Sequence, residues 1–123
     1  MEIIKDETNL LDRLLQDRKQ QREYDRIKTL QTVFIWLDQW GIFYGIEKAF
    51  VFGSLVRPGH FWETSDVDVA VEEINPENFF QALADLSRTV ERDVDLIPLM
   101  QCPFANRIRE RGISWTATQN LFS

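Results

Sequence analysis

Two aspartates one residue apart, Asp66 and Asp68, open the apolar run that ends at Val71. No other feature constrains this chain as tightly. Side chains on a strand alternate with period two, so both carboxylates point to one side while Val67, Val69 and Val71 point to the other. One face of the strand is therefore predicted to be buried under helices, and the other to present carboxylates. Carboxylates held that close repel, and partial desolvation raises the cost unless a cation stands between them. A divalent metal site is the first expectation. Upstream, the run Lys48 to Gly53 reads as a strand that ends in a Gly53-Ser54 turn. Glycine lets the backbone approach a phosphate, and the following N–H groups and the Ser54 hydroxyl can bond its oxygens. Downstream, Asp93 to Pro98 repeats the pattern, with Asp93 and Asp95 opposite Val94 and Leu96. Pro98 ends that run or places it at a sheet edge. If the three strands are neighbours in one sheet, three carboxylates meet beside a phosphate-friendly turn. That arrangement suits two-metal phosphoryl chemistry.

The totals narrow the class. At 123 residues, with a hydrophobic share of 44% and a charged share of 28%, the chain reads as one globular domain. The net charge of −6 argues against general nucleic-acid binding, which needs clustered Lys and Arg. A nucleotide remains compatible, because a bound magnesium ion inverts the local field. Cys102 is the single cysteine, which rules out an intramolecular disulfide and a cysteine metal cluster. Charges follow Met1 to Lys5 at once, and no apolar run approaches ~18 residues. The expectation is a cytoplasmic protein with no membrane segment.

Residues 7 to about 40 contain no Gly or Pro and read as helix, with Thr8 or Asn9 as a cap and Gly41 as the stop. Its apolar positions form two patches: Leu10, Leu11, Leu14 and Leu15, then Ile27, Leu30, Val33, Phe34 and Leu37. The second is expected to pack on the domain's own sheet. The first either packs back after a break or projects and docks on another chain. The polar stretch between them, Gln16 to Arg26, reads as a solvated face or, in a sharper reading, as a partner surface. Ile42, Phe43 and Tyr44 are expected to cover the end of the core. The loop carrying His60, Phe61 and Trp62 has two readings: the aromatics fold back over the domain, or one stacks on a base or a partner. Asn75-Pro76-Glu77 starts a helix whose Phe79, Phe80, Leu83, Leu86 and Val90 are expected core. Pro103 to Arg111 is a short helix stopped by Gly112, with Phe104 and Ile108 packing inward. Arg107, Arg109 and Arg111 read as a solvated face from which one could reach a phosphate. Ile113 to Trp115 is a short extended finish.

Gly53-Ser54, a loop, Asp66-Val67-Asp68 and later Asp95-Leu96 together resemble the signature of polymerase-beta-type nucleotidyltransferases. The chain is most similar to their minimal members, over roughly Lys48 to Trp115. The stretch Phe104 to Ile113 resembles the end of such domains. This resemblance implies an α+β fold, with a small mixed three-stranded sheet, helices packed on one face and a long N-terminal helix. It divides the chain into a helical extension (1–40), a core (41–115) and a tail (116–123). It implies that Asp66 and Asp68 bind two Mg2+ ions. Asp95 binds the catalytic ion and assists the nucleophile. Gly53 and Ser54 hold the triphosphate of ATP, with Arg57 assisting. Asp95 is preferred to Asp93 because it directly precedes Leu96. Eleven residues separate Ser54 from Asp66, one more than the family's usual spacing, and a loop absorbs the extra residue at low cost. Minimal members are often antitoxins of HEPN/MNT toxin–antitoxin pairs. The resemblance thus implies AMP transfer from ATP to a tyrosine hydroxyl of a HEPN ribonuclease toxin, with the long helix as a docking element. The alternatives are an antitoxin that acts by binding alone and an aminoglycoside-type small-molecule nucleotidyltransferase.

Overall fold

The computed structural model describes residues 2–118, with side-chain detail from Asn9 onward. The side chain of Thr8, an expected cap, and the end of the tail, residues 119–123, lie outside that description.

The first helix, α1, is a single span Glu2–Trp40 of 39 residues, about 58 Å long at ~1.5 Å per residue. It begins before the expected cap, so Asn9 is interior to it. The two apolar patches are not separated by a break. The polar middle is built from Gln, Lys, Arg and Glu, all good helix formers, and holds no Gly or Pro to interrupt the ladder. Every residue from Asn9 to Gln21 is exposed, and burial starts only at Arg22. The N-terminal half of α1 therefore projects from the body.

Beyond α1 come the strands β1 (Lys48–Phe52) and β2 (Val67–Val71), the helix α2 (Phe79–Val90), β3 (Val94–Pro98), the helix α3 (Ala105–Arg111) and β4 (Ile113–Thr116). The sheet order is β3-β2-β1-β4. β1 runs antiparallel to β2 and β4, and β2 runs parallel to β3 through the α2 crossover. The sheet is mixed, as expected, with one strand more than expected. The extended finish pairs with the free edge of β1, Val51 opposite Ile113, which satisfies backbone groups that a bare edge would expose.

Strand parity sorts the core into two layers. Ala49, Val51, Val67, Val69, Val71 and Leu96 face α1 and α2, meeting Val33, Trp36, Leu37, Ala82 and Leu86. Phe50 and Ala70 face the other way, onto Leu99 and Ile108. Helices thus cover both faces, a correction to the one-face expectation: α3 needs a surface for Ile108, and the Phe50 side of β1 supplies it. Two indoles tie the layers laterally. Trp36 Nε1 donates to Asp85 on α2 at 2.8 Å, and Trp115 Nε1 on β4 donates to Asp38 at 2.8 Å.

Several expected core residues are outside. Phe80 is 79% exposed and Phe104 62% exposed. Ile27, Ile42 and Phe43 are also exposed, so of Ile42, Phe43 and Tyr44 only Tyr44 is buried. In α2 the buried positions are Ala82 and Leu86. A small residue takes the closest approach to the sheet, and this turns Phe80 outward.

Candidate active site

The sheet brings the expected carboxylates together. Asp68 on β2 is in register with Asp95 on β3 and with Phe52 on β1, at a strand spacing of about 4.8 Å. Val67 and Val69 point into the main core, so Asp68 and Asp95 point to the opposite face, that of α3. Asp66 stands just before β2, also close enough to act on Asp68. Burial comes first, then the charge and hydrogen-bonding contact of Asp95, then the charge of Asp66; together they push the Asp68 carboxyl up from 3.8 to about 6. Asp68 is half-buried, while Asp66 and Asp95 are exposed. Asp93 is not among the groups acting on Asp68. Its carbonyl accepts the Val67 N–H at 2.9 Å, and it lines a separate polar cleft with Ser65 and Asp66.

Gly53 makes the turn possible. Its φ is +74°, and a Cβ there would collide with Asp68 Oδ2. Glycine therefore serves twice, once for a left-handed backbone and once for the close approach of a carboxylate. From Gly53 the chain enters a short 3-10 turn, Gly53–Val56. Ser54 is half-buried and Arg57 exposed. Leu55, fully buried, anchors this turn to the core.

The loop that carries the extra residue is clamped from two sides. Phe61 is 2% exposed and belongs to the main core, so the fold-back reading holds for it. Trp62 is exposed, with the Arg22 guanidinium 4.0 Å above its ring. On α1, Arg22 pairs with Glu63 at 3.1 Å, Glu23 accepts the Gly59 N–H, and Arg26 donates to the Leu55 carbonyl at 3.2 Å. The Gly59 N–H and then Arg26 hold the Glu23 carboxyl below its usual range. From the other side Arg92 Nη1 donates to the carbonyls of Trp62, Ser65 and Glu63 at 3.0, 2.9 and 3.3 Å, and its guanidinium lies 4.2 Å over Phe61. The polar middle of α1 is thus a contact surface at its C-terminal end, which sequence reasoning missed. The charges at 22, 23 and 26 share a helix face, but nothing local names the loop they meet. Arg92→Ala is expected to cost about 1–2 kcal/mol by leaving these carbonyls short of a donor. The measurements are a urea titration and proteolysis of the loop between Pro58 and Ser65.

A second cleft, of about 630 Å³, opens beside Gly53 on the α3 face, and Phe52, Ile97, Arg57, Arg107 and Arg111 help line it. Hard oxygen ligands suit magnesium, which keeps several waters and is usually held by one or two carboxylates together with substrate phosphates. Among the described residues no three acidic, imidazole or thiol side chains enclose an ion by themselves. Burial and the neighbouring charges of Asp95 and Asp66 raise Asp68, and a bound cation relieves that cost. Asp66, Asp68 and Asp95 are the side chains that would hold it. Among the described residues no helix is long and apolar enough to cross a membrane.

Residues 43–115 match the family described as polymerase beta, nucleotidyltransferase. No curated protein matches the chain. A solved chain from a crystal structure of a toxin–antitoxin with AMP-PNP shares the fold, with a TM-score of 0.51 and 22% identity over 79% of this chain and 74% of that one. The matched segment holds the Gly53 turn, the carboxylates on β2 and β3 and the edge strand through Trp115. This chain belongs to the polymerase beta nucleotidyltransferase family.

Proposed function

We propose that this protein is an antitoxin that transfers AMP from ATP to a tyrosine hydroxyl of a HEPN-type ribonuclease toxin and so silences it. The observation that carries the reading is the placement of Asp66, Asp68 and Asp95 beside the Gly53 turn, inside a nucleotidyltransferase domain. The likeness to a toxin–antitoxin structure with AMP-PNP supports an adenine nucleotide as donor and a toxin as partner. The projecting half of α1 supports a protein acceptor. Leu10, Leu11, Leu14 and Leu15 are 50–57% exposed there, an apolar stripe at helical spacing of the kind that docks in a partner's groove.

In the transfer, the tyrosine oxygen forms a bond to the α-phosphorus. The bond from that phosphorus to the oxygen bridging the β-phosphate breaks, and pyrophosphate leaves with the electron pair. Asp66 and Asp68 hold the metal side of the site. Asp95, exposed on the edge strand, takes the phenolic proton. Magnesium, when bound, neutralises charge on the phosphates.

The test is incubation of the protein with Mg2+, a candidate HEPN partner and ATP labelled at the α- or the γ-phosphate. Label from the α-position is expected on the partner and absent from its Tyr→Phe variant; γ-label is expected in pyrophosphate alone. Neutralised toxin without label would mean binding alone. Label on an aminoglycoside instead of the partner would move the reading to small-molecule transfer.

A further inference from the structure

We propose that Arg107 and Arg111 of α3, together with Arg57, form a cationic wall that grips the β- and γ-phosphates of the nucleotide and holds the departing pyrophosphate. The proposal rests on the nucleotide reading of the site and adds Arg107 and Arg111 to the Arg57 that the family resemblance already implies.

Strand parity supplies the first part of the argument. Phe52 and Ile97 lie on the same sheet face as Asp68 and Asp95, and both line the cleft beside Gly53. The cleft therefore opens on the carboxylate face, next to the turn whose N–H groups approach phosphate. Helical spacing supplies the second. Arg107 and Arg111 are four residues apart and share one face of α3, and both line this cleft. Arg109 lies between them on the other side, donating to Glu72 at 2.6 and 3.0 Å.

Pairing is the third. Arg109 has a carboxylate partner, whereas Arg57, Arg107 and Arg111 form no ion pair among the described residues. They stay unpaired although Asp68 and Asp95 occupy the same face. In a chain of net charge −6, three unpaired guanidinium groups around one cleft are a local reversal of field. An anionic ligand needs that reversal before it can approach three carboxylates. Arginine bonds phosphate oxygens in a bidentate fork. The rest of the lining, with Val56, Cys102 and Ile108, is apolar, and low local dielectric strengthens such contacts. With the metal side of the site at Asp66 and Asp68, the phosphate tail then lies between carboxylates with their ions and arginines.

The test is calorimetric titration of Mg·ATP, tripolyphosphate and AMP into the wild type, R107A/R111A, R107K/R111K and R109A. All three arginines are exposed, so the variants keep the fold, with circular dichroism as the check. For R107A/R111A the affinity for Mg·ATP and tripolyphosphate is expected to fall about 100-fold, roughly tenfold per charge-assisted contact. AMP should change by less than about threefold, because it lacks the gripped phosphates. The lysine pair should recover part of the loss, and R109A should match wild type. If wild type binds Mg·ATP and R107A/R111A binds it equally well, the arginine wall is overturned while the nucleotide reading stands. If AMP weakens as much as ATP, the assignment to the phosphate tail is overturned. If wild type binds none of the three, the nucleotide reading falls and this inference with it.

Discussion

Asp68→Asn is expected to yield a protein that is more stable at neutral pH and transfers no nucleotide. Asp68 has a native pKa of about 6 against an ordinary 3.8. A native pKa above the unfolded one means that the fold holds the proton more tightly than the unfolded chain does. The associated stability is fully present below about 3.8 and is lost as pH rises through about 6. At pH above 7 the ionised carboxylate is a net cost. At face value that cost is about 3 kcal/mol, and solvent screening of a half-exposed group reduces it to about 1–2 kcal/mol. Asparagine keeps the shape and drops the charge. In chelator-containing buffer the urea midpoint of Asp68→Asn should exceed wild type at pH 7.5 and converge with it near pH 4. Transfer by the same variant should fall by on the order of 10³-fold or more, the scale of losing a preorganised charge stabiliser. A variant that loses activity without gaining stability at neutral pH would mean that burial, Asp95 and Asp66 together do not destabilise the ionised Asp68.

Gly53→Ala acts on the same carboxylate from the backbone side. The position has φ +74°, where an L side chain costs about 1–2 kcal/mol. The new methyl group would also occupy the place of Asp68 Oδ2. The backbone cannot relax without breaking the register that pairs Phe52 with Asp68, so the carboxylate must move. A displacement near 1 Å at a reacting centre costs on the order of 100-fold in rate. Gly59→Ala separates the two contributions. Gly59 has φ +81° with nothing within 4 Å of a built Cβ, so it carries the strain without the collision. Both variants should melt several degrees lower, as ~1–2 kcal/mol does in a small domain. Only Gly53→Ala should lose transfer by about 100-fold; Gly59→Ala should stay within about threefold. Equal losses in both would place the role of Gly53 in the fold rather than in seating Asp68.

Much of the candidate site is legible in the sequence because each part of it is local. Two-residue alternation within single strands marks Asp66 with Asp68 and Asp93 with Asp95, the family resemblance selects Asp95, and Gly53 follows from a strand that stops at a residue free to turn. The loop between them is less legible. Pro58 to Thr64 is aromatic where loop tips are polar, and sequence alone leaves Phe61 and Trp62 with the same two readings. Phe61 is drawn into the core under Arg92, and Trp62 lies outside under Arg22. Adjacent residues of one type diverge because their surroundings come from elements about 30 and 40 residues away in the chain. The same limit governs Phe80 and Phe104. Helical spacing marks them as apolar positions, but α2 docks through Ala82 and Leu86 and α3 through Ile108.

Taken by itself, the sequence determined the elements and the chemistry that each can carry. It holds a helical stretch free of Gly and Pro across residues 7–40, a carboxylate face and an apolar face on the same strand, and a glycine turn that suits phosphate. These follow from backbone sterics and side-chain period, which act over a few residues. Only the tertiary structure decided which elements meet. It set β4 on the open edge of β1, put α3 over the carboxylate face, and divided three arginines of one short helix between a Glu72 ion pair and the cleft beside Gly53. It also turned part of a polar helix surface into the clamp on the site loop. Those outcomes depend on contacts between distant segments, where burial and charge pairing select one packing among many that the same local patterns allow.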